Sequence, residues 1–160
     1  MPHLSLDPLT LGHTAITFIA IALGLMVLGQ MLTSQYCRAL TGAFLLFTVL
    51  TSATGYLFHQ SGAQPTPGQI VGAISLIDLA VALYALYGKR LTGIWRPVYV
   101  ITALVSLYLN VFVLVVQLYV KLPSPPVTGG PLFGGTQAVV LLAFVIAIWQ
   151  AVKRFKPLTL

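Results

Sequence analysis

Five stretches of about twenty residues each, at 11–31, 40–58, 70–87, 98–120 and 134–152, run through this chain with a single charge, Asp78, among them. A helix of that length rises about 30 Å, the thickness of a bilayer's hydrocarbon core. Membrane strands would instead alternate in segments of about ten residues, and these runs do not alternate. The remaining composition agrees. Of 160 residues, 58% are hydrophobic and 6% charged, against about 25% charged in a soluble domain. So few charges cannot clothe a water-facing surface, so the outer shell must face lipid. The spacing predicts an all-α integral membrane bundle of about five transmembrane helices, in one domain over 1–160.

The connections carry turn chemistry. Residues 59–68 (HQSGAQPTPG) are uncharged and rich in turn formers. Residues 89–97 (KRLTGIWRP) form a short basic turn, and 122–135 (LPSPPVTGGPLFGG) a Pro/Gly-rich loop that cannot be helical throughout. Tyr36, Trp95, Tyr119 and Trp149 fall near predicted span ends, where aromatic side chains anchor helices at the interface. The first run could instead be a signal peptide. It lacks a basic leader and is longer than an h-region, so it reads as a span.

The basic residues give an orientation. With the N-terminus outside and the C-terminus cytoplasmic, Arg38, Lys89, Arg90, Arg96, Lys153, Arg154 and Lys156 are inside, and Lys121 alone is outside. Removing any one span would destroy this bias. The net charge of +6 therefore reads as orientation signal and lipid-headgroup contact. No basic, aromatic-studded soluble module exists to bind nucleic acid. A single cysteine, Cys37, excludes an intrachain disulfide or a cysteine-based zinc site.

Function has to sit on the few polar groups within the spans. Asp78 lies about 13 Å deep by helical rise. An ionised, unpaired acid there would be costly, so the carboxyl should be protonated, paired or facing water. Thr102, Ser106, Asn110 and Gln117 form a polar stripe at helical spacing in the fourth span. Counting back from the basic turn puts Asp78 at a depth between Ser106 and Asn110, which suits a hydrogen bond between spans three and four. A proton or cation site is the sharper reading of the same residues.

His13 opens the first span and His59 closes the second, and an antiparallel hairpin brings both to one surface. His13, Thr17 and Gly24 share one face; Thr41, Thr48, Ser52, Gly55 and His59 share another. If those faces meet, two imidazoles converge, as a metal or haem iron would require. Interfacial anchoring is the plainer role, since no HxxxH or CxxCH spacing is present. No nucleophile elbow, phosphate-cradling loop or HExxH motif appears.

The strings TSATGYLF at 51–58, GIWRPVYV at 93–100 and SLYLNVFVLVVQ at 106–117 resemble an uncharacterised family of small bacterial multi-pass inner-membrane proteins. The resemblance runs from about the first span to the fifth, and the last string is its most specific part. It implies a bacterial inner-membrane location and carries over no activity. The Pro/Gly loop after Lys121 departs from the pattern. The leading reading is a non-enzymatic accessory or interaction subunit whose partners are the lipid bilayer and other membrane subunits or further copies of itself. Behind it come a haem- or metal-binding electron-transfer protein using His13 and His59, and a small proton-coupled transporter using Asp78, Ser106 and Asn110.

Overall fold

A computed structural model describes residues 8–58, 64, 66–121 and 130–157. They form five helices: α1 (Pro8–Leu32), α2 (Arg38–Gly55), α3 (Pro67–Leu83), α4 (Trp95–Lys121) and α5 (Pro131–Arg154). A 3-10 turn, Tyr56–Phe58, extends α2, and a π-helical turn, Tyr84–Gly88, extends α3. No strand occurs among the described residues.

All five helices begin two or three residues before the apolar runs, and three of them begin at a proline. Pro8, Pro67 and Pro131 open α1, α3 and α5. Proline is well placed in a first helical turn, because its fixed φ suits the helix and its missing N–H would be unpaired there anyway. Pro67 and Pro131, which the sequence placed in turns, are thus helix starts. At α3 the start is reinforced by a capping box. The Thr66 hydroxyl accepts from the Gln69 N–H at 3.3 Å, and Gln69 Oε1 accepts from the Thr66 N–H at 2.9 Å. The Gln69 carbonyl also accepts from the Tyr56 hydroxyl at 3.1 Å, fastening this corner to α2.

Four helices are long and apolar enough to cross a membrane, and α2 is the exception. It has 18 residues, begins at Arg38 and carries Thr41, Thr48, Thr51, Ser52 and Thr54. Its polarity is directed inward. Thr41, Thr48, Thr51 and Ser52 are buried, while Leu46 and Leu50 are exposed. Neighbouring helices therefore cover the hydroxyls, and at about 27 Å α2 still matches the bilayer core.

The helices run up and down, with α4 in contact with all four others. The closest packing occurs where Gly24 meets α2 and α4. A Cβ added there would stand 2.5 Å from Leu107 Cδ1 and 2.8 Å from Phe44 Cε2. Hiding apolar surface from lipid tails gains nothing, so such close contact is the main source of cohesion. Phe44, Leu45, Leu79, Tyr99, Leu104 and Leu107 fill the centre.

The outer surface is apolar, with Leu25, Leu46, Ile77, Leu142 and Ile146 all exposed. Helix α5 buries only Ala151 along its length. A surface like this suits hydrocarbon and not water. Seven of the eight basic residues lie at one end of the bundle, and Lys121 lies at the other.

Candidate functional site

At the end of the bundle where α1 begins, the two polar faces do meet. His13 Nδ1 lies 2.7 Å from Thr54 Oγ1 on α2. A Cβ on Gly55 would sit 3.9 Å from His13 Cε1, so the absence of a side chain at 55 makes room for the ring. The proton assignment follows from a second contact. Thr54 Oγ1 is also 2.7 Å from the Leu50 carbonyl oxygen, which can only accept. Both contacts are hydrogen bonds only if the threonine proton goes to Leu50 and His13 Nδ1–H donates to Thr54. Thr17 sits one turn further along α1 and returns its hydroxyl to the His13 carbonyl at 2.8 Å. His59, the other half of the pair, lies outside the described residues.

The interior stripe on α4 divides into three environments. Thr102 is half-buried and bonds back to the Val98 carbonyl at 2.8 Å. Ser106 and Asn110 are fully enclosed, and Gln117 is exposed. At 100° per residue Gln117 lies within about 20° of both Ser106 and Asn110, so it shares their face, and its exposure goes with its place one turn from the end of α4. Asp78 is half-buried on α3 beside buried Ser75 and Leu79. Among the described residues its carboxyl bonds neither Ser106 nor Asn110. Ser106 Oγ and Asn110 Nδ2 have no hydrogen-bond partner there.

Four further enclosed polar atoms share that condition among the described residues: Thr51 Oγ1 on α2, Ser75 Oγ on α3, the Tyr99 hydroxyl on α4 and Gln137 Oε1 on α5. Sequence reasoning passed over Ser75, an isolated serine in an apolar run. Its signal was positional, three residues before Asp78 and on the inward side. The polar interior thus draws on α2, α3, α4 and α5.

The basic end of the bundle also has structure that the sequence did not single out. Lys89 lies over the rings of Tyr84 and Trp95, at 5.5 and 5.8 Å from their centroids, and these rings pack edge to face at 5.1 Å. Lys153 lies over Trp149 at 3.7 Å. Between the start of α2 and the turn that ends α3, Tyr36, Arg38, Leu86, Tyr87 and Arg90 line a cleft of about 420 Å³.

Among the described residues no group of three or more His, Cys, Asp or Glu side chains is placed to hold a metal ion. Comparison of the chain with protein-family models, with curated proteins and with solved structures finds no match. The functional reading therefore rests on geometry and chemistry alone.

Proposed function

We propose that this chain is a non-enzymatic accessory subunit of the bacterial inner membrane, N-terminus outside and C-terminus cytoplasmic, that docks a transmembrane helix of a partner protein against α1. The observation carrying this reading is the outward face of α1. Gly12, Ala15, Ile19, Ala22, Met26 and Gly29 are all exposed and recur at alternating spacings of three and four. Nothing stands within 4 Å of where a Cβ would lie on Gly12 or Gly29. The stripe runs about 25 Å along the helix, most of the hydrocarbon thickness. Small residues let a second backbone approach closely, which is how membrane helices associate. Helix α5 is the contrast. Its outward residues include Leu132, Val139, Leu142, Ile146 and Trp149, bulky side chains suited to lipid.

The test is purification in mild detergent of wild type and of Ala22→Leu with Gly29→Leu. A cysteine crosslink from Ala22→Cys, in a Cys37→Ser background, identifies what lies on that face. This reading expects a co-purifying membrane protein that crosslinks at position 22 and is lost from the leucine variant. A wild type that migrates alone, or crosslinks only to itself, would sink it.

A second reading, a small proton-coupled transporter, draws on the enclosed polar atoms of Thr51, Ser75, Ser106 and Asn110 and on nearby Asp78. Groups of this kind inside a membrane bundle commonly mark a polar path. Proton flux into liposomes that stops in Asp78→Asn would favour it over the first. Equal flux in both proteins, or none, would set it aside.

A further inference from the structure

The cleft at the basic end combines features that the docking reading leaves unused. Arg38 is the first residue of α2, and Arg90 belongs to the turn between α3 and α4. That turn is tightly wound. Arg90, Leu91 and Gly93 have φ of 47°, 55° and 53°, and the buried Leu91 pins it to the core. It leaves Arg90 on the same cleft as Arg38, with Tyr36 and Tyr87 alongside and buried Leu86 completing the lining. A Cβ on Gly42 would meet the Tyr87 hydroxyl at 3.8 Å, so this phenol reaches back over the first turns of α2.

Among the described residues no acidic group pairs with the charges in the cleft. The chain has two acids, Asp7 and Asp78. Asp78 is about 14 Å along the helix from Tyr87. No ion pair to either arginine occurs among the described residues. The lysines at this end differ, because Lys89 and Lys153 lie on aromatic faces. The start of α2 adds to the positive field. Cys37 at its N-cap supplies no side-chain hydrogen bond, so the first amides keep unpaired N–H groups at the positive end of the helix dipole. Tyr36, in the connection outside the spans, is held above its ordinary pKa of 10.0, by burial first and by the neighbouring Tyr87, with Arg38 opposing. It therefore stays a hydroxyl donor.

We propose that this cleft binds the phosphate of an anionic phospholipid headgroup. Two guanidinium groups and a helix N-terminus form a standard phosphate receptor, since arginine's planar fork matches phosphate oxygens in pairs. The volume falls in the range of ligand clefts, about 300–1,000 Å³, and leaves room for the glycerol attached to the phosphate. The exposed ring of Tyr87 offers an apolar surface to the start of the acyl chains. The tyrosines place the cleft at headgroup level, where amphipathic rings collect. Two positive charges with no acidic partner among the described residues favour a headgroup of net negative charge over a zwitterionic one.

Native mass spectrometry of the full chain, released from detergent containing phosphatidylglycerol or phosphatidylcholine, tests the assignment. Phosphatidylglycerol adducts should predominate, and the preference should fall about fivefold for each arginine removed in Arg38→Gln and Arg90→Gln. Both side chains are exposed, so the fold should persist, and unchanged helical circular dichroism would verify this. Arg38→Lys keeps the charge without the planar fork and should fall between wild type and Arg38→Gln. Lys153→Gln with Lys156→Gln, at the same end but outside the cleft, should leave the preference intact. Equal loss in the lysine and arginine variants would reduce the effect to a general field and overturn the site. So would equal retention of the two lipids, or displacement of phosphatidylglycerol by millimolar inorganic phosphate.

Discussion

His13 donates from Nδ1 to Thr54 Oγ1 across 2.7 Å, and this bond ties the beginning of α1 to the end of α2. It is a link between spans in which both partners are polar and neither is exposed. Thr54→Val keeps the shape and removes the acceptor. Such bonds in membrane bundles average about 0.6 kcal/mol and reach about 1.7 kcal/mol. Thr54→Val should therefore lower unfolding stability in detergent by about 1 kcal/mol, while Thr54→Ser stays near wild type. Equal stability of all three proteins would mean that the contact contributes nothing.

Gly24 and Gly29 lie on opposite faces of α1 and should respond in opposite directions to alanine. At Gly24 the new methyl would meet Leu107 and Phe44, both completely enclosed and without space to retreat. Overpacking of this kind costs about 1–3 kcal/mol, more than the roughly 1 kcal/mol alanine returns in helix propensity. At Gly29 nothing stands within 4 Å, so only the propensity gain of up to about 1 kcal/mol remains. Thermal melts should place Gly24→Ala below wild type and Gly29→Ala at or above it. The reverse order would contradict the packing described for α1.

What the sequence made legible was the axial order of the bundle; what it concealed was mostly angular and terminal. Long uncharged runs and one-sided lysines and arginines depend on length and charge, which survive any rotation of a helix about its axis. The Gly55 and His13 faces were also readable, because small and polar residues at helical spacing turn inward when lipid is the solvent. Gln117 defeated the same logic by axial position, since it shares the face of Ser106 and Asn110 yet is exposed one turn from the end of α4. The capping box at Thr66 and the starts at Pro8 and Pro131 were hidden by treating proline only as a breaker. The arginine cleft was invisible for a different reason. Arg38 and Arg90 are 52 positions apart in the chain, and the left-handed turn that brings them together contains Leu91, a residue with no preference for that backbone.

Asp78 offers a measure of whether the polar interior holds anything. Its carboxyl bonds neither Ser106 nor Asn110 among the described residues. Asp78→Asn preserves size and hydrogen-bonding capacity while removing the ionisable group. If the carboxyl serves no partner, the variant should unfold within about 0.5 kcal/mol of wild type. A loss of several kcal/mol would reveal a bound cation or proton network that depends on the acid, and would strengthen the transport reading.

Phe155 is where the otherwise peripheral α5 is secured. The helix buries only Ala151 along its length, yet the residue just past its end is 1% exposed and packs 6.2 Å from the ring of enclosed Tyr99. Its backbone neighbour Lys156 donates an N–H to Ser34 Oγ at 2.9 Å, joining the same end to the α1–α2 connection. At the opposite end the links are lighter: the Tyr119 hydroxyl meets Thr136 Oγ1 at 2.8 Å, and Gln137 Nε2 donates to the Phe112 carbonyl at 3.3 Å. Lipid stands ready to cover the α5 surface, so the helix gains little from apolar burial and depends on these fixed points. Truncating a buried phenylalanine costs about 3–5 kcal/mol, whereas Phe155→Leu keeps most of the volume and should cost less than about 1.5 kcal/mol. Phe155→Ala should therefore free α5 from the bundle before the other helices separate. A disulfide engineered between α4 and α5 near Tyr119 and Thr136 should form at the wild-type rate in Phe155→Leu and slowly in Phe155→Ala. If Phe155→Ala crosslinks and melts like wild type, α5 is held by something other than this aromatic contact.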